Sequence, residues 1–162
     1  AFDQLPIAQY AIDLGDLNSL AHHQDQANVY YTLAATAYAK SASGGIDVDQ
    51  EIALFEANTN RNLDDALSRA QAAVRDRPSI FSSDALAWVQ YRRGNFTAAQ
   101  AAINEALRLG EHDATVLFHA GLIAAAHHDP AKAKHYLETT LALNPHFSLL
   151  FAQEARDTLK QL

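Results

Sequence analysis

Residues 114–145 read ATVLFHAGLIAAAHHDPAKAKHYLETTLALNP, and their reading decides the fold. The first half is apolar and rich in Ala up to His127-His128; the second half opens on Asp129-Pro130 and ends at Asn144-Pro145. An Asp before a Pro suits the start of a helix, because the carboxylate accepts from free backbone N–H groups and the proline ring presets φ. Two helices joined by a short turn are therefore expected. Gly121 falls inside the first of them. A mid-helix Gly costs roughly 1 kcal/mol relative to Ala, so its presence implies a neighbouring helix that needs the space.

The same design recurs outward from this stretch. Ala120-Gly121 is the last of four apolar-small pairs, after Leu14-Gly15, Ile52-Ala53 and Leu86-Ala87, and the last two steps are both 34 residues. Each pair is followed 13 or 14 residues later by an Ala: Ala27, Ala66, Ala99 and Ala133. A larger residue and a stop come next, as in Leu137 with Pro145, Ile103 with Gly110 and Ala70 with Pro78. Self-similarity at a fixed period is the signature of stacked repeats, each too small to bury its apolar face alone. Four helix pairs are predicted, in repeats over 8–45, 46–79, 80–113 and 114–146. Their helices span 6–21, 25–41, 47–59, 63–76, 82–93, 96–109, 114–127 and 130–143. Asn62 and Asn95 are expected as N-caps and Gly110 as a left-handed residue past a helix end. A ninth helix over 147–161 puts Phe147, Leu150, Phe151, Ala155, Leu159 and Leu162 on one stripe, which fits a capping element over 147–162. Ser41 to Gly45 carries four or five extra residues, read as a lengthened second helix and a loop.

Composition agrees with an all-α fold: 33 Ala and 20 Leu stand against 5 Val and 7 Ile in 162 residues. The run from Gly121 to Ala126 is far below the roughly 20 apolar residues that span a bilayer. The absence of Cys excludes disulfides and thiolate chemistry, and a net charge of −7 makes nucleic acid a poor partner. The chain opens on Ala1 and contains no Met, so it reads as a piece of a longer protein, with the cytoplasm favoured over export. Phe2, Leu5 and Ile7 suggest an uncapped apolar end that packs on a preceding repeat or, in a homodimer, on a second copy.

These residues resemble the tetratricopeptide repeat (TPR) family, whose template of about 34 residues runs W-x2-L-G-x2-Y, then A-x3-F, then P. The third copy (Leu86-Ala87, Gly94-Asn95-Phe96, Ala99, Ile103, Ala106) and the fourth (Ala120-Gly121, Ala133, Leu137, Leu143-Asn144-Pro145) match best. The second keeps Asn62 through Ala73 to Pro78, and the first keeps Leu14-Gly15, Ala27 and Tyr31. The resemblance implies a C-terminal fragment of a longer bacterial-type array, an α-α superhelix whose first helices line a concave groove, and a protein-binding scaffold rather than an enzyme. By register the groove would hold Asp13 and Asp16, then Asp47 and Glu51, then Asp84, Trp88 and Tyr91, then Phe118, His119 and Leu122. Family members that grip a C-terminal carboxylate use Lys, Arg and Asn there; this chain has Ile12, Asp13, Gln50, Glu51, Asp84 and Ala85. The partner expected is a protein or peptide with basic and apolar residues. Trp88 and Tyr91 would anchor it, although aromatics at helical spacing also serve packing between repeats. A structural or self-associating end piece of a longer solenoid is the alternative.

Charge segregates along the chain. Residues 1–60 contain eight acidic groups and one base, Lys40, whereas residues 61–162 contain eleven of each. The acidic end of the groove would meet a basic partner. Eight His invite a metal-binding reading, kept as a remote alternative: neighbouring His on a helix point about 100° apart, so neither His22-His23 nor His127-His128 makes a chelating face. No metal, cofactor or catalytic residue is expected. Ser82-Ser83-Asp84 and Asp64-Asp65 fall at helix starts, where capping and the helix dipole account for them.

Overall fold

The structure, a computed structural model, describes residues 5–162. Among them are nine helices and no strand: α1 (Leu5–Leu20), α2 (Gln24–Ser43), α3 (Asp49–Thr59), α4 (Leu63–Asp76), α5 (Ile80–Arg92), α6 (Phe96–Leu107), α7 (Ala114–Ala126), α8 (Pro130–Leu143) and α9 (Ala152–Gln161). The protein is all-α. It forms two compact units, residues 1–48 with α1 and α2, and residues 49–162 with α3 to α9. The break falls just after the extra residues at Ser41 to Gly45. Phe2 of the apolar start lies outside the described residues.

Consecutive helices pack in pairs, and one turn geometry closes all four. His22, Asn60, Gly94 and His128 each adopt positive φ (61, 55, 77 and 58°). In every turn this residue's N–H donates to the carbonyl three residues back, and the next residue's N–H donates to the carbonyl five back. The second bonds run from His23 to Asn18, Arg61 to Glu56, Asn95 to Gln90 and Asp129 to Ala124, at 2.8–3.0 Å. This paired pattern satisfies carbonyls that a helix end leaves free. The two His doublets are thus turn residues, with one member in the left-handed region.

Small residues set the distance within each pair. In the first unit α1 buries Ala8, Ala11 and Gly15 and α2 buries Ala27, Tyr31, Ala34 and Tyr38. A Cβ on Gly15 would lie 2.4 Å from Tyr31 Cε1, and one on Gly121 would lie 2.6 Å from Leu137 Cγ. Ala27, Ala66, Ala99 and Ala133, the downstream alanines of the four copies, are all fully buried. In the second unit one apolar cluster joins Ala53, Ala57, Ala66, Ala70, Trp88, Phe118, Leu137, Phe151 and Ala155; another joins Ala99, Ile103 and Ala106 of α6 to Val116, Ala120 and Ile123 of α7. Arg69 ties α4 to the start of α3 by bonding Asp49 (2.7 Å) as well as its own-helix neighbour Asp65 (2.6 Å).

Several local expectations change. The C-terminal helix begins at Ala152, not at 147. Residues 145–151 are turns in which the Phe147 N–H donates to Asn144 O and the Phe151 N–H to Ser148 Oγ, a side-chain bond that competes with helix. Phe147, Leu150 and Phe151 nevertheless pack on the main cluster. Helix α5 starts earlier than expected, because Ser79 and Ser82 form a reciprocal capping box. Asn62 and Asn95 precede their helices without capping them through their side chains. Their amides turn back to Glu56 Oε1 and Gln90 Oε1. Asp129 does cap α8, accepting from the Lys132 N–H, with Pro130 first in the helix. Gly110 has φ +73° just beyond α6, as expected.

Candidate functional site

Six of the ten groove candidates, Asp84, Trp88, Tyr91, Phe118, His119 and Leu122, meet in one place in the second unit. Asp84 and Trp88 are one turn apart on α5, and Tyr91 follows; Phe118 and His119 come from α7. His119 Nδ1 lies 2.9 and 3.1 Å from the two Asp84 carboxylate oxygens. The Trp88 indole stacks on the His119 ring (centroids 4.2 Å apart, 14° between planes) and on the Tyr91 ring (5.1 Å, 9°). Phe118 and Phe151 close around the indole at 5.8 and 5.7 Å. Its Nε1–H donates to Asn58 Oδ1 on α3 at 2.8 Å, and the Arg92 guanidinium sits 5.5 Å from the ring centre.

This cluster is interior, which corrects the expectation that these side chains line a surface. Trp88 and Phe118 are fully buried, His119 is 1% exposed, Asp84 3% and Leu122 3%. Tyr91 alone among them is partly exposed. Its hydroxyl pKa is raised, first by burial and then by the nearby Glu154 carboxylate. The physical reason for the correction is the C-terminal segment. Phe147 and Phe151 pack against Phe118, Phe151 also meets Trp88 edge-on, and α9 adds Ala155 to the same core.

The buried pair has a defined chemistry. The Asp84 carboxylate meets one imidazole nitrogen of His119, Nδ1, and leaves the other, Nε2, to find a second partner. That Nε2 is buried and has no hydrogen-bond partner. The result is an oriented imidazole fixed between a carboxylate and an indole face, and its place in the core gives it a packing role. Among the described residues no group of three or more His, Asp or Glu side chains is placed to hold a metal ion.

The acidic candidates are distributed differently. In the first unit Asp13 accepts from Gln9 Nε2 at 2.8 Å. Asp16, half-buried, accepts from the Tyr31 hydroxyl at 2.8 Å. Burial raises the Asp16 pKa, the Tyr31 bond opposes this, and the charge of Asp13 adds to the rise. Asp47 is exposed in the segment after α2. In the second unit Glu51, in the first turn of α3, faces Arg77 at 3.9 Å. Asp13, Asp16 and Glu51 are therefore engaged within their own units.

Sequence reasoning missed two features. Asp84 and His119 are 35 residues apart, about one repeat, and that spacing on two adjacent first helices was the available signal. The other is an exposed apolar stripe on α1, visible as the 3-4-3 spacing of Ile7, Tyr10, Leu14 and Leu17.

No family model and no curated protein matches this chain. Among the described residues no helix is long and apolar enough to cross a membrane.

Proposed function

We propose that the protein is a TPR-like helical repeat module that binds a protein or peptide and performs no catalysis. The observation that supports this most directly is the identical turn that closes all four helix pairs, with a buried small-residue seam in each. Repetition of that kind makes extended surfaces whose exposed positions vary freely while the seams stay fixed. The partner presents basic and apolar residues, because residues 1–60 hold eight acidic groups and one base. Asp47 and Glu51, rather than the buried Trp88 and Phe118, are the side chains to change.

A fluorescence titration with an extended, Pro-interrupted peptide containing Lys and Leu, which cannot form a helix, tests the reading. Affinity should fall as salt rises, since exposed charges are screened within about 10 Å at 0.1 M. Replacing Asp47 and Glu51 together by Lys should weaken binding while circular dichroism shows the helices retained. Binding unaffected by both salt and charge reversal would sink the electrostatic part of the proposal.

A further inference from the structure

Helix α1 has two apolar seams and uses one of them. Ala8, Ala11 and Gly15 are buried. Ile7, Tyr10, Leu14 and Leu17 form a second stripe about 110° away around the helix, and these four are 48, 68, 42 and 50% exposed. Their 3-4-3 spacing is that of a seam built to receive another helix.

The second unit shows what occupies this register elsewhere. Counted from the apolar-small pair, Tyr10, Leu14 and Leu17 correspond to Val116, Ala120 and Ile123 on α7. Those three are buried against Ala99, Ile103 and Ala106 of α6. On α5 the same positions are Ser82, Leu86 and Val89; Ser82 and Val89 are buried, and Leu86 packs on the cluster that contains Ala66 and Ala70 of α4. In both cases the occupant is an amphipathic helix with two Ala residues on its seam. On α1 the same register carries larger side chains and remains open.

Charge says which helix fits. Asp13 lies on the helix about 40° beyond Leu17, at the edge of the stripe. Asp16 is the other charged residue of α1, and the helix has no base. Residues 1–48 contain five acids against Lys40 alone. A second copy docked antiparallel on this face brings the same flank of both helices together, Asp13 near Asp13, which opposes self-pairing. A helix with Lys or Arg beside its apolar seam meets Asp13 favourably and leaves no like charges facing.

We propose that the Ile7–Tyr10–Leu14–Leu17 face of α1 docks an amphipathic α-helix of another protein, with small apolar residues on its seam and basic residues flanking it. The docking rests on the α1 stripe and Asp13 and does not use Asp47 or Glu51.

The test uses the full 162-residue chain and two synthetic helical peptides that share an Ala/Leu seam, one flanked by Lys and one by Glu. Fluorescence anisotropy should show saturable binding of the Lys peptide, with the Glu peptide at least about tenfold weaker. Leu14→Asp should reduce affinity for the Lys peptide by about tenfold or more, with circular dichroism and melting temperature unchanged because Leu14 is not in the core. Asp13→Lys should narrow or reverse the preference between the two peptides. Equal binding of both peptides overturns the proposal, as does an unchanged affinity in Leu14→Asp. Sedimentation that shows a concentration-dependent dimer of the wild type, abolished in Leu14→Asp, also overturns it by assigning the face to a second copy. Asp47→Lys with Glu51→Lys should leave Lys-peptide docking on α1 within about twofold, which separates failure here from failure of the groove reading.

Discussion

At the scale of single residues, burial decides what Trp88 does. The indole is enclosed by His119, Tyr91, Phe118 and Phe151 and bonded to Asn58. Trp88→Ala should therefore cost about 3–5 kcal/mol of stability, seen as a large fall in the denaturant midpoint. Near-native stability with lost partner binding would return Trp88 to the surface role that its helical spacing first suggested. Glu56 offers a test through pH. It is 6% exposed; Oε1 accepts from Asn62 and Oε2 has no partner. Burial holds its pKa above the ordinary 4.5, the Asn62 bond opposing and Asp65 assisting the rise. The folded state thus keeps this proton more tightly than the unfolded chain, so this group's contribution to stability falls as pH rises from 4.5 through the raised value. Glu56→Gln cannot ionise. Its melting temperature relative to wild type should climb between pH 4 and 7, and a difference that declines over that interval would refute the assignment.

At the scale of elements, two opposing effects meet at Gly121. Gly121→Ala gains roughly 1 kcal/mol of helix propensity but sets a Cβ 2.6 Å from Leu137 Cγ. Overpacking in a well-filled core costs about 1–3 kcal/mol. Net destabilisation is expected in thermal melts, and a stabilised variant would mean that α7 and α8 can separate freely. The turns give the converse case. A Cβ on Gly94 would meet nothing within 4 Å, but its φ is +77°, so Gly94→Ala should lose about 1 kcal/mol from backbone conformation alone. His128→Gly, at the matching position, should gain up to about 1 kcal/mol for the same reason. The repeat period was legible here because the apolar-small pair and the buried Ala sit at fixed offsets. The C-terminal helix start was not, because periodicity extends the apolar stripe back to Phe147 and cannot register the Ser148 bond that keeps residues 145–151 in turns.

At the scale of the whole molecule, the two units differ in size and core. The first has one helix pair, and its seam is mostly Ala and Tyr; the second has seven helices around two apolar clusters. Units of about 50 residues bury too little surface to be robust alone. Amide hydrogen exchange should therefore be fastest in α1 and α2 and slowest in α5 and α7, where local opening requires breaching the Trp88 and Phe118 core. Uniform protection across all helices would show one cooperative block instead. The sequence by itself determined the helical class, the pairing of helices and the small-residue seams, because these depend on composition, caps and spacing that are local along the chain. Only the tertiary structure decided that Asp84, Trp88, Phe118 and His119 are core while Tyr10, Leu14 and Leu17 are surface. Asp84 apart, both sets are apolar or aromatic residues at helical period, and the difference rests on whether a neighbour in the same unit covers that face: Phe147, Phe151 and α9 pack on Trp88 and Phe118, and α2 leaves Tyr10, Leu14 and Leu17 exposed.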